Sequence, residues 1–257
     1  MTATAARRTV SDRFRLEDNV VVITGASSGL GVAFARTCAE AGADVVAVGR
    51  RRDRLEQTVQ LVGAAGRDGL VVAADVAAAD GCRTVIDAAV ARFGRIDVLV
   101  NNAGVEDHDP ASRLAVEDFR RVLDVNVTAC FELAQGAAAV MPRGSSIVNV
   151  GSILAHTTLD IPTTAYSTSK AAILGLTRSL ARQWSGRKGI RVNALLPGFF
   201  PTDMVAALPQ GLVDDRLPMG RMGDPDELAA ALIFLASDAS SYMTGSELTV
   251  DGGMRLT

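Results

Sequence analysis

Seven short, nearly uninterrupted apolar runs, separated by longer stretches of helical spacing, restrict the fold of this chain more than any other feature. The runs cover 20–23, 44–48, 70–73, 98–100, 146–150, 191–195 and 247–250. A strand with one wet face alternates apolar and polar residues, whereas a strand covered on both faces stays apolar throughout, as in parallel sheets. Between the runs, 29–41, 51–62, 81–93, 116–140, 165–185 and 225–236 carry helical periodicity. In the longest of these, Phe119, Val122, Leu123, Val127, Cys130 and Phe131 fall on one stripe. Right-handed crossovers between such strands build an α/β fold with a doubly wound, Rossmann-like parallel sheet and helices on both faces. With 257 residues, 48% of them hydrophobic, the chain has material for one large core. The expected organisation is a polar tail over 1–15 and a single domain over 16–257.

Charge and cysteine usage exclude several classes. A net charge of −3 gives no electrostatic reason for nucleic acid or an anionic membrane as partner. The longest apolar stretch near the carboxyl end, 228–236, falls well short of the ~20 residues that span a bilayer. Residues 1–15 hold no apolar core of a signal peptide. Cys38, Cys82 and Cys130 show neither metal-ligand spacing nor an even count, which fits a reducing cytoplasm.

The first apolar run leads directly into Thr24-Gly25-Ala26-Ser27-Ser28-Gly29-Leu30-Gly31 and then into a helical stretch. Glycines let backbone approach a ligand closely, and free amides at a helix N-terminus attract a pyrophosphate. The second run ends in Gly49-Arg50-Arg51, where an enzyme using the unphosphorylated dinucleotide places an acid for the ribose hydroxyls. Arg50 instead offers a guanidinium fork to a 2′-phosphate, so NADP is expected over NAD. Arg51 and Arg52 read as the start of a solvated helix.

Tyr166 and Lys170 stand four residues apart, on one face of a helix. A phenol has an ordinary pKa of ~10, and a nearby ammonium lowers it by favouring the phenolate. Fourteen positions before Tyr166, Ser152 follows the fifth apolar run, at the carboxyl end of a strand, where open parallel sheets bind ligands.

Together these residues resemble the classical short-chain dehydrogenase/reductase family, over nearly the whole chain from about Leu16. Its motifs stand in family order. Thr24 to Gly31 match the glycine turn, including Gly25, Ser27, Ser28, Gly29 and Leu30, and Asp75-Val76 match the adenine-contacting pair. Asn101-Asn102-Ala103-Gly104 match the segment that supports the sheet and lines the cofactor site. Asn126, Ser152, Tyr166 and Lys170 match the catalytic set. Pro197-Gly198 with Thr202 match the turn at the nicotinamide carboxamide, and Asp251-Gly252-Gly253 the carboxyl-terminal signature. The interval from Ser152 to Tyr166 is about one residue longer than usual, and 141–145 is short; both departures are expected to flank the substrate pocket.

The resemblance implies reduction of a ketone with NADPH. Ser152 hydrogen-bonds the carbonyl oxygen and Tyr166 gives the proton. Lys170 lowers the Tyr166 pKa and binds the nicotinamide ribose, while Asn126 positions a water. The resemblance also implies a homotetramer or homodimer. A sugar or steroid alcohol dehydrogenase running oxidatively is the rival enzyme, and a catalytically silent NADPH sensor the rival of another class. Three stretches, 105–110, 153–164 and 199–217, should build the substrate pocket, the last as an apolar closing loop. His108 and His156 read as exposed loop histidines, and Glu106, Asp107 and Asp109 as a solvated loop; acids at the entrance would disfavour anionic substrates.

Overall fold

The computed structural model describes residues 9–202 and 217–256. Its frame is one seven-stranded sheet, parallel at every pairing. The strands are β1 (Val20–Thr24), β2 (Asp44–Gly49), β3 (Gly69–Ala73), β4 (Val98–Asn101), β5 (Ser146–Val150), β6 (Arg191–Pro197) and β7 (Glu247–Val250), in the order β3-β2-β1-β4-β5-β6-β7. Several strands outrun their apolar runs by a residue or two. The ladder continues through Gly49, Asn101 and Pro197, registered with Ala73, Asn149 and Val250, because pairing is a backbone property and tolerates polar or small side chains.

Alternate residues of each buried strand serve two separate cores. Val21 and Ile23 of β1 join one with Phe34 and Cys38 of α1 (Gly29–Glu40), Leu55 and Val62 of α2 (Arg52–Ala64) and Leu228 and Leu232 near the carboxyl end. Val20 and Val22 join the other with Val85 of α3 (Gly81–Phe93), Leu133 near the middle of the chain, and Leu180. A side chain on each face of every strand must find a helix, which is why the runs are apolar throughout.

The helical stretch 116–140 is not one helix. It divides into α4 (Val116–Leu123), a π turn over Asp124–Thr128, and α5 (Ala129–Val140). A π turn inserts an extra residue and rotates everything after it by about 100° relative to a continuous helix. The single apolar stripe therefore fails: Val122 and Cys130 are buried, Phe131 lies exposed, and α5 turns Leu133, Ala134 and Ala137 to the sheet instead.

α6 (Thr164–Lys188) is the longest helix among the described residues and ends at left-handed Gly189. α7 (Pro225–Ala236) is started by a capping box, Asp224 accepting from the Asp226 amide and Glu227 from the Asp224 amide. Ahead of β1, Ser11–Phe14 form a short turn whose Phe14 ring meets Phe234. Among the described residues no helix is long and apolar enough to cross a membrane.

The chain runs outward from β1 to β3 on one side and from β4 to β7 on the other. The order reverses between β1 and β4, and crossovers leaving in opposite directions open a crevice at the strands' carboxyl ends.

Candidate active site

A cavity of about 380 Å³ fills that crevice. Its floor is the turn between β1 and α1. Gly25 has φ +69°, and a Cβ there would stand 2.8 Å from Asn102 Nδ2; a Cβ on Gly31 would overlap the Gly25 carbonyl. Both positions need glycine, the first for its conformation and the second for the approach of α1 to the turn. Ser28 precedes α1 and its hydroxyl makes no cap to the first amides of the helix.

The turn is tied to the strand beside it. Thr24 Oγ1 accepts from the Asn102 and Ala103 amides at 3.0 and 2.9 Å, and Asn102 Nδ2 donates to the Thr24 carbonyl at 2.8 Å. Behind them buried Asn101 Nδ2 donates to Asn149 Oδ1, linking β4 to β5. Asp75 and Val76 line the opposite wall, Asp75 Oδ1 accepting from the Ala77 amide. Gly81, which the sequence reading passed over, lets α3 begin against the Asp75 carbonyl, where a Cβ would collide.

Arg50 and Arg51 both line the cavity. Arg51 is exposed and stands at the start of α2, as a solvated helix start would be, but it also reaches the glycine turn. Its Nη2 donates to Ser28 Oγ at 2.9 Å and to Ser27 Oγ at 3.2 Å, bridging the end of β2 to the glycine turn. The end of β2 and the turn after β1 are neighbours in the sheet, a fact that sequence spacing does not carry.

At the other end of the cavity stand Ser152, Tyr166 and Lys170. Ser152 follows β5 and accepts from the Leu154 amide at 3.1 Å, which fixes its rotamer. Lys170 Nζ donates to the Val150 carbonyl at 2.8 Å and lies 5.4 Å from the Tyr166 ring centre. Asn126 occupies the π turn and is fully engaged. Its Oδ1 accepts from the Val105 amide, and its Nδ2 donates to the Val105 carbonyl and to Ser169 Oγ, each at 2.9 Å. Ser169 Oγ in turn donates to the Tyr166 carbonyl at 2.6 Å. Pro197 and Gly198 close the wall beside Asp251, and the Thr202 side chain lies against Gly29.

Burial sets the titration of the central pair. It pushes the Tyr166 phenol up to about 12; the Ser152 hydrogen bond opposes the rise and the charge of Glu106 adds to it. Burial also brings the Lys170 ammonium down to about 8. The expected depression of the Tyr166 pKa by Lys170 is therefore absent, because the cost of removing a phenolate from water outweighs what an ammonium beyond the ring returns.

The loops differ from expectation more than the motifs do. Asp107 is buried, not solvated: its carboxylate accepts from the Tyr166 and Ala165 amides at 2.8 and 3.3 Å and so caps α6. Glu106 lines the cavity and pairs with His108, Nε2 to Oε1 at 3.1 Å. His156 lies outside the cavity, paired with Glu247 of β7 at 2.6 Å. Residues 141–145 enter β5 at its amino end, opposite the site, where Arg143 to Ser145 border a separate polar cavity, so the short segment does not flank the substrate. Of the stretch 199–217, Phe199, Phe200 and Leu217 are buried at the site and 203–216 lie outside the described residues.

A family model described as enoyl-(acyl carrier protein) reductase matches residues 25–255. The chain is 39% identical to a 3-oxoacyl-(acyl-carrier-protein) reductase of Thermotoga maritima, over 93% of this chain and 99% of that protein. It is 40% identical to 3beta-hydroxysteroid dehydrogenase 1 of Eggerthella lenta, over 94% of this chain and 95% of that protein. A crystal structure of a short chain dehydrogenase from Burkholderia cenocepacia in complex with NADP superposes with a TM-score of 0.90 at 34% identity, covering 93% of this chain and 99% of the other.

Proposed function

The chain belongs to the short-chain dehydrogenase/reductase family, and from that premise we propose that this oxidoreductase reduces a ketone with NADPH, Tyr166 giving the proton. The observation that carries the reading is geometric: Ser152, Tyr166 and Lys170 stand together at one end of the cavity, with Arg50 and Arg51 at the other. Burial pushes the Tyr166 phenol up to about 12, so it holds the proton that ketone reduction requires.

The residues fit a phosphorylated nicotinamide cofactor. The glycine turn and the uncapped amides of α1 suit a pyrophosphate, Arg50 and Arg51 suit a 2′-phosphate, and Asp75 with Val76 suit the adenine end. The bound cofactor supplies hydride to the carbonyl carbon. At the other end Ser152 Oγ donates to the carbonyl oxygen as negative charge gathers there. Tyr166, which lines the cavity with Ser152, transfers its hydroxyl proton to the same oxygen. Lys170 holds a positive charge beside the phenol that is losing its proton, which favours the product side. Asn126 braces Val105 and, through Ser169, the Tyr166 carbonyl, so both walls keep their spacing as the proton moves.

Tyr166→Phe removes the proton donor and little volume. Turnover of ketones should fall at least 1,000-fold, in the range of a lost general acid, while NADPH fluorescence titration changes by less than threefold. Retention of more than a few per cent of the activity would remove Tyr166 from this role.

A further inference from the structure

The segment after Gly104 carries one side chain into the cavity between two residues that are themselves tied down. Val105 is gripped at both its backbone groups by Asn126. Two residues on, buried Asp107 takes the first amides of α6. Glu106 stands between these anchors, so its backbone is pinned on both sides. Its side chain is 18% exposed and lines the same cavity as Ser152 and Tyr166.

The surroundings make that carboxylate matter. Ile153, Leu154, Ile161 and Phe199 form an apolar wall at this end. Burial and the neighbouring Asp107 push the Glu106 carboxyl up, His108 opposes the rise, and the charge reaches the Tyr166 phenol. The cations lining the cavity are placed for other partners: Arg51 on the Ser27 and Ser28 hydroxyls beside Arg50, and Lys170 on the Val150 carbonyl. A second anion beside Glu106 would meet a like charge in poorly hydrated space, while a hydroxyl or amide N–H would meet an acceptor.

Resting on the reading as a carbonyl reductase, we propose that Glu106 determines specificity at the substrate end, selecting neutral ketones with a hydrogen-bond donor on an apolar body and rejecting ketones that carry a carboxylate or phosphate.

Two ketones of the same ring and nearly the same size test this with the full-length enzyme and NADPH at pH 8: 4-oxocyclohexanecarboxamide and 4-oxocyclohexanecarboxylate. The amide should have the higher kcat/KM by at least tenfold, about 1.4 kcal/mol. Glu106→Gln, which keeps the size and removes the charge, should bring the ratio within threefold of one. A ratio near one in the unsubstituted enzyme, or a tenfold ratio that survives Glu106→Gln, overturns the inference and leaves the reductase reading standing. Turnover of neither ketone nor any neutral ketone, with NADPH bound, overturns both.

Discussion

At the scale of single residues, the site places charge where water is scarce, and Lys170 shows the cost. Its ammonium is buried and its pKa falls from 10.5 to about 8. Between those values the unfolded chain keeps a proton that the folded chain has lost, so stability rises with pH across that window; below pH 8 the folded protein carries the full penalty of a buried charge. Lys170→Met should abolish turnover and yet raise stability at pH 7 by about 1–2 kcal/mol, since relief of the charge exceeds the loss of one hydrogen bond to the Val150 carbonyl. The gain should vanish by pH 10.5. Urea unfolding of both proteins at the two pH values checks this, and a gain that is absent or independent of pH would contradict it. That Tyr166 and Lys170 share a helix face, and that Ser152 stands at the carboxyl end of a strand, was legible in the sequence, because helical spacing and the end of an apolar run place them. The titration of Tyr166 was not, because burial is set by everything packed around the ring.

At the scale of elements, α6 depends on a residue 59 positions away. The first amides of a helix lack partners within it, and Asp107 supplies an acceptor to two of them, that of Tyr166 included. The negative carboxylate also complements the positive end of the helix. Asp107→Ala should cost about 1–2 kcal/mol, and lower kcat more than tenfold because Tyr166 sits in the turn that frays. Asp107→Asn, which keeps one acceptor oxygen, should recover most of both. Thermal unfolding alongside steady-state kinetics decides it: equal loss in the two variants would mean that the charge, not the cap, is what α6 needs. The periodic pattern predicted the helix but not this anchor, since a capping partner from another loop leaves no mark in local sequence. The π turn at Asn126 escaped for a related reason. Residues 116–140 show one apolar stripe in sequence, and nothing local marks the extra residue that sets Asn126 against Val105 and Ser169.

At the scale of the whole molecule, two loops from different strands meet at the cavity mouth only because the sheet order reverses between β1 and β4 and sets β2 next to β1. The apolar runs made the parallel sheet predictable and right-handed crossovers made it doubly wound, but neither fixes which strands are neighbours. The pairing of Arg51 with Ser27 and Ser28 did not follow, being a contact across that sheet edge. Its consequence is global, because a ligand that binds only the folded state stabilises the entire domain. If Arg50 and Arg51 hold a 2′-phosphate, NADPH should bind at least tenfold tighter than NADH. At equal saturating concentrations that is about 1.4 kcal/mol of added stability, or roughly 3–5 °C in Tm for a chain of this size. In the Arg50→Ala, Arg51→Ala double variant the two cofactors should give the same shift, with the NADH value nearly unchanged. Equal shifts in the unsubstituted protein would return both arginines to the solvated surface. A double variant that lost the NADH shift as well would mean instead that Arg51 shapes the glycine turn for any dinucleotide, as its grip on both serines allows.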